Sequence, residues 1–328
     1  MSRRKGAGTG AVRGARLVPL LRVVVLVLVL VAVLIALNRN WDAVTRDVGR
    51  APAAPLALAG VLALIGPVLT MLGWRVLLTD AGSRVAVPPA AGIFFVGQLG
   101  KYLPGSVWTV VAQAEMGAAL RIPRRRSTVV GLVSIGLGIL TGLLFGLPAL
   151  PMLLRRDDSG SGWWLVLALP LLALACWPPL LNRAVAVGLR VLRREPLEHD
   201  LSGRAVLTSV GLLLGAWLCF ALHTMVLAAA VSGSGDVRGL ALGAGSGYAL
   251  AASLGMLAVV APAGVGVREA ILVLLLTSTI PLSSATAVVL LSRLIITLAD
   301  VLLALLAWLY ARTHHLLGRR VNTASMRP

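Results

Sequence analysis

Six stretches of the chain, residues 17–37, 55–79, 127–150, 163–182, 206–231 and 284–311, run for twenty residues or more with at most two charged side chains each. A helix rises about 1.5 Å per residue, so each is long enough to cross the roughly 30 Å hydrocarbon core of a bilayer. Lipid cannot satisfy backbone N–H and C=O groups, and such runs therefore close their hydrogen bonds internally as helices. Composition agrees, with 58% of the 328 residues hydrophobic and 13% charged, against about 45–50% apolar in soluble domains. The chain reads as an all-α polytopic membrane protein. Its net charge of +18 would fit a nucleic-acid partner if Lys and Arg gathered with aromatics on a soluble face. They flank apolar runs instead, and no nucleic-acid partner is expected.

Arg3, Arg4, Lys5, Arg13 and Arg16 precede the first run as in a secretory signal, but 17–37 is too long for a signal core and is read as an uncleaved anchor. Cytoplasmic loops are rich in Lys and Arg. Five such residues in 1–16, four in 121–126, five in 183–204 and four from 312 onward place both termini on the cytoplasmic side of a bacterial inner membrane. Two regions, 89–120 and 240–280, are too long for one helix and are interrupted by Pro and Gly. For the 80–88 loop and the arginines of 121–126 to share a side, 89–120 must enter and leave from the cytoplasm as a re-entrant hairpin. By the same parity 240–280 is a hairpin from outside. The alternative, crossings at 240–261 and 268–281, leaves the second helix only about 14 residues long.

The expected architecture is thus about six full transmembrane helices plus two re-entrant hairpins. Span, span, hairpin, span occurs over 17–150 and again, inverted, over 163–311, the pattern of an inverted repeat. Basic ends, 1–16 and 313–328, flank a membrane domain over 17–312. Trp41, Trp163 and Trp164 are expected at the outer boundary, and Trp74, Trp177 and Trp308 at the inner one. Small residues recurring every four positions, Gly138, Gly142 and Gly146, then Gly243, Gly247, Ala251 and Gly255, mark close helix contacts.

A charge at membrane depth costs about 2.5–3.5 kcal/mol even on lenient insertion scales, so such residues face a cavity or one another. They are Lys101, Glu115, Arg268, Glu269, Arg293 and Asp300. Lys101 either meets a substrate phosphate or reaches to the cytoplasmic boundary from a shallow hairpin. Pro262, Gly264 and Gly266 break the second hairpin, which puts Arg268 and Glu269 in the first turn of a half-helix whose N-terminus favours an anion such as phosphate. The competing reading is an Arg/Glu set that only fastens the hairpin. Arg293 and Asp300, seven residues apart, lie on one helix face, and Glu115 is a candidate partner. Cys176 and Cys219 are packing residues. His199, His223, His314 and His315 have no ligand spacing, so neither metal nor cofactor is expected. No GxSxG, P-loop or DxD-type pair points to an enzyme.

With GQLGKYLPGSVWTVVAQAEMG (97–117) and APAGVGVREAIL (261–272) in view, the chain resembles the flippase-like transmembrane domain of bacterial lysylphosphatidylglycerol synthases over about residues 17–312. The resemblance carries that family's helix break and Gly-x-Arg-Glu onto Pro262, Gly264, Gly266, Arg268 and Glu269, and its Ser-Arg onto Ser292 and Arg293. The first motif falls on Lys101, Pro104, Gly105 and Glu115. Ser106, Val107 and Trp108 stand where a polar Gly-acid pair follows the proline in many members. In the synthases a soluble C-terminal domain performs aminoacyl transfer, and here only about 16 residues follow the last span. The resemblance therefore implies translocation of a phospholipid or polyprenyl-phosphate-linked lipid, with membrane lipids as partners. The alternative is an accessory or transferase working with a lipid-modifying enzyme or glycosyltransferase.

The topology makes a direct prediction. Single cysteines introduced at positions 84 and 236 should react with a membrane-impermeant maleimide from opposite sides; labelling of both from one side would contradict the inverted arrangement.

Overall fold

A computed structural model of the chain describes residues 49, 51–102, 108–154, 170–191, 200–257 and 266–313. The first expected span, 17–37, lies outside these residues, as do both basic ends apart from Thr313. The described elements are helical. α1 is Ala53–Asp80, α2 is Val87–Gln98 with a 3₁₀ turn over Leu99–Tyr102, and α3 is Trp108–Ala119. α4, Arg124–Gly146, continues through a 3₁₀ turn into Leu150–Leu154. Then come α5, Pro178–Val191, and α6, Gly203–Ser232. α7 runs Val237–Leu257 with a π-helical turn at Ala241–Ser246, followed by α8, Val267–Leu276, and α9, Leu282–Thr313.

Five of these stretches are long and apolar enough to cross a membrane: Ala53–Asp80, Arg124–Leu153, Gly203–Ser232, Val237–Leu257 and Leu282–Thr313. Four coincide with expected spans. The fifth is the first arm of the second hairpin: its 21 residues extend about 31 Å. The other arm, α8, has 10 residues, or about 15 Å, too short to cross. The first hairpin is symmetric, with 12 residues in each arm. The glycines of α7 do not interrupt it because it is the most buried of the five helices, where small residues let neighbours approach.

Contacts at the helix ends fix which way each hairpin opens. Arg126 Nη1 donates to the Gly82 carbonyl at 3.0 Å and to Ser83 Oγ at 2.9 Å, so the loop before α2 and the start of α4 share a face. The Asp80 carboxylate accepts from Ser202 N and Oγ, each at 2.7 Å, which brings the start of α6 to that arginine-rich face. At the opposite face, α6 ends at Gly233, whose φ of +67° is left-handed and favours glycine. A Cβ on Gly239 there would lie 2.8 Å from Thr279 Cγ2, so the second hairpin enters and leaves beside that end.

The packing is crosswise. α1 and α6 run antiparallel along their length, with Gly66 against the Phe220 ring and Gly73 against Ser209. α9 packs on α2 of the first hairpin, and α4 packs on α7 of the second. Each of these two long helices thus clasps the hairpin that lies in the other part of the chain. Leu298, Val301, Leu302, Leu305 and Leu306 of α9 remain exposed, as do Leu58, Val61 and Ile65 of α1, giving apolar stripes for lipid.

Two expectations are corrected. Of the span at 163–182 only 170–182 is described, and there the helix breaks at Cys176–Trp177. Pro178 cannot donate to the preceding turn and steers Trp177 away from the helical region, so a separate helix starts at Pro178. Trp74 is fully buried, with its ring 5.6 Å from Phe94, and is a core residue; Trp177 and Trp308 are exposed as an interfacial belt requires. Trp41, Trp163 and Trp164 lie outside the described residues.

Gly142, Gly146, Gly243 and Gly247 of the small-residue rows close helix contacts, and Gly138 does not. A Cβ on Gly146 would come within 2.6 Å of Leu250 N, one on Gly142 would meet Ser253 and Trp217, and one on Gly243 would lie 3.0 Å from the Leu275 carbonyl; Gly138 has open space. Overpacking of this kind costs about 1–3 kcal/mol. Gly146→Ala should therefore lower the thermal midpoint in detergent, while Gly138→Ala should leave it unchanged or raise it.

Candidate functional site

α9 organises the charges at membrane depth. It is 32 residues long, about 48 Å, and Arg293 and Asp300 fall about 16 and 27 Å from its start, within the middle third. Seven residues make nearly two turns, so both side chains point to the same side of the helix. Each meets a different hairpin.

Asp300, 6% exposed, accepts from Lys101 Nζ at 2.6 Å and from the Tyr102 hydroxyl at 2.7 Å, both through Oδ2. The 3₁₀ turn at Leu99–Tyr102 presents these two neighbours together, with Thr297 of α9 also beside the Tyr102 hydroxyl. A backbone of Gly100 is required there, because a Cβ would lie 2.8 Å from Thr109 N and the Trp108 carbonyl carbon on the returning arm. Lys101 is about one-third exposed, and Tyr102 is buried.

Arg293, 10% exposed, donates from Nη1 to Glu269 Oε1 at 2.6 Å. The other carboxylate oxygen, Oε2, accepts from Gly266 N at 2.7 Å and so caps the start of α8. Gly266 has φ of +90°, a left-handed geometry that disfavours any side chain. The helix N-terminus expected to attract a phosphate is therefore already occupied by Glu269. Arg268, one residue earlier, points elsewhere: Nη2 donates to the Tyr248 hydroxyl at 2.8 Å, and its guanidinium carbon lies 4.6 Å from the Tyr248 ring centroid. That ring stacks on Phe220 at 5.7 Å. Among the described residues Arg268 has no carboxylate partner.

Tyr248 ties the parts together. It is buried in α7 and lies close enough for the charges of Arg268, Lys101, Asp300 and Arg293 to act on it, so five ionisable residues, with Glu269, form one cluster between the hairpins. Beneath it, His223 is fully buried, with Nδ1 2.8 Å from the Ala59 carbonyl and Nε2 3.0 Å from Ser292 Oγ. This network ties α1, α6 and α9 together directly before Arg293 in sequence.

Five of the six sequence candidates thus converge, and Glu115 does not. It is 59% exposed at the arginine-rich face, where Arg124 donates to both its oxygens at 2.9 Å. The guanidinium holds its carboxyl below the ordinary carboxylate range. Glu115 is therefore neither partner to α9 nor a wall of the cluster. Pro104, Gly105, Pro262 and Gly264 lie outside the described residues. Sequence reasoning missed Tyr102 and Tyr248, although two of only three tyrosines sitting in the two interrupted regions was a usable signal.

Removing one partner from a buried ion pair leaves the other uncompensated, at about 3–5 kcal/mol. Glu269→Ala should accordingly lower stability in detergent strongly, both by removing the carboxylate 2.6 Å from Arg293 and by uncapping α8, and Glu269→Ala/Arg293→Met should recover part of that loss. Glu115→Ala should leave the unfolding midpoint unchanged, since its pair is solvent-exposed.

No curated protein matches the chain. A family model described as the lysylphosphatidylglycerol synthase TM region matches residues 20–318, which include both hairpins, α9 and every member of the charge cluster. The chain belongs to the family of the lysylphosphatidylglycerol synthase transmembrane region.

Proposed function

We propose that the protein is a lipid translocase: the headgroup of a phosphate-bearing lipid passes through the polar cluster between the hairpins while its tails remain in the surrounding lipid. The observation that carries this reading is Arg268. A guanidinium near mid-membrane, stacked on Tyr248 and without a carboxylate among the described residues, is an unbalanced charge where charges are expensive, and its natural counter-ion is a planar or tetrahedral oxyanion. Lys101, Arg293 and their carboxylates frame the passage and hold the hairpins against α9. Arg124, Arg125 and Arg126 gather anionic lipid at one face, at about 1 kcal/mol per residue near a charged surface. The excess of Arg in 121–126 and 183–204 supports reading that face as the cytoplasmic one of a bacterial cytoplasmic membrane.

The accessory-transferase reading has less support, because acid/base work on a lipid-linked sugar needs a carboxylate to spare, and Glu269 and Asp300 each face a cation at 2.6 Å. In proteoliposomes containing phosphatidylglycerol labelled on an acyl chain, dithionite should quench the inner-leaflet probe much faster with the protein than in protein-free vesicles. Arg268→Ala should slow this by about tenfold or more, the equivalent of one charge-assisted hydrogen bond. Equal rates for wild type and Arg268→Ala would remove Arg268 from the path. Rates no faster than protein-free vesicles, for this and for polyprenyl phosphate, would refute translocation.

A further inference from the structure

The cluster has a definite charge balance. Among the described residues, Lys101, Arg268 and Arg293 face Glu269 and Asp300, so three cations stand against two carboxylates and one positive charge is left over. The hairpin segments 103–107 and 258–265 contain no Asp, Glu, Lys, Arg or His and do not alter that balance. The excess belongs to Arg268, whose partner, the Tyr248 hydroxyl, is neutral. Neither carboxylate is open to a new cation: Asp300 is held by Lys101 and Tyr102, and Glu269 by Arg293 and the Gly266 N–H.

Resting on the translocase reading, we propose that the site selects its lipid by headgroup charge: the substrate is a phosphodiester monoanion whose headgroup alcohol carries no amine. Bringing one negative charge to Arg268 makes the cluster neutral. A zwitterionic headgroup leaves the excess in place and sets an ammonium among three cations with no carboxylate to receive it. An aminoacylated, net-cationic headgroup doubles the excess, and like charges in a low-dielectric interior repel strongly. A pyrophosphate-linked lipid overshoots to a net negative cluster. Membership of a family named for lysylphosphatidylglycerol synthesis thus does not make the lysylated lipid the substrate of this chain. The discriminating residue is Arg268, with Tyr248 as the residue that positions it.

The test uses the full-length protein in proteoliposomes and four lipids labelled on an acyl chain so that the headgroup is unaltered: phosphatidylglycerol, phosphatidylethanolamine, lysylphosphatidylglycerol, and lysylphosphatidylglycerol with both amines acetylated. Wild type should move phosphatidylglycerol at least about tenfold faster than the zwitterionic and lysylated lipids. Acetylation should restore the rate, which separates charge from bulk. Arg268→Glu should reverse the order and favour the lysylated lipid. Arg268→Gln, which keeps a donor for Tyr248, should slow phosphatidylglycerol and flatten the preference. Equal wild-type rates for all four lipids, or fastest transport of the lysylated lipid, would overturn charge selection and leave translocation standing. No transport of any of the four would overturn both. The wild-type series decides even if a variant fails to fold.

Discussion

Hydrocarbon offers no hydrogen bonds and little screening, and this single constraint explains why the molecule is built around α9. A broken helix can persist at membrane depth only when protein covers it, and a charge only when another charge or dipole answers it. The two hairpins bring both problems at once. Arg293 and Asp300 solve them from a continuous helix, because each pairs with the charged residue beside a helix break and thereby fixes that break against a straight neighbour. The crosswise packing, with α9 on the first hairpin and α4 on the second, completes the cover.

Polar contacts within the one cluster fall into two kinds. Lys101 with Asp300 and Arg293 with Glu269 are balanced pairs, and Glu269 adds a helix cap. These account for themselves as fastenings. Arg268 does not: its contacts with Tyr248 stabilise its position without neutralising it. Of the two readings left open by the sequence, the structural Arg/Glu set is seen in Glu269 with Arg293, while Arg268, one position away, is the residue on which the proposed substrate site rests.

Much of the fold could be read from the chain because hydropathy and the position of arginines are strong signals. The helices at 53–80, 124–146, 203–232 and 282–313 lie within a few residues of the apolar runs that announced them. Parity of the arginine-rich loops also identified a hairpin at 89–120, and Arg126 bonding to Gly82 and Ser83 shows its two ends side by side. Hydropathy failed at 163–182, where Pro178 divides an apolar run that composition alone cannot divide. The glycines of α7 leave it unbroken, since glycine breaks an exposed helix but is an asset in a buried one. In the site, the charged residues were legible because charge is conspicuous in an apolar chain. Their pairing was not: Glu115 and Glu269 are equally acidic, and only the three-dimensional path decides that one meets Arg124 at the surface and the other Arg293 in the interior. Tyr102 and Tyr248 escaped notice for the opposite reason, as buried aromatics are ordinary until their hydroxyls are seen to bond ions.

The seven-residue interval between Arg293 and Asp300 has a consequence for how the sequence can vary. Each residue added to or removed from that interval turns one side chain about 100° relative to the other, so one hairpin would lose its tether while the other kept it. Substitutions elsewhere on α9 can drift freely along its lipid-facing stripe of Leu298, Val301, Leu302, Leu305 and Leu306. Length between the two charges cannot drift, and α9 acts as a ruler that keeps two oppositely opening hairpins in step.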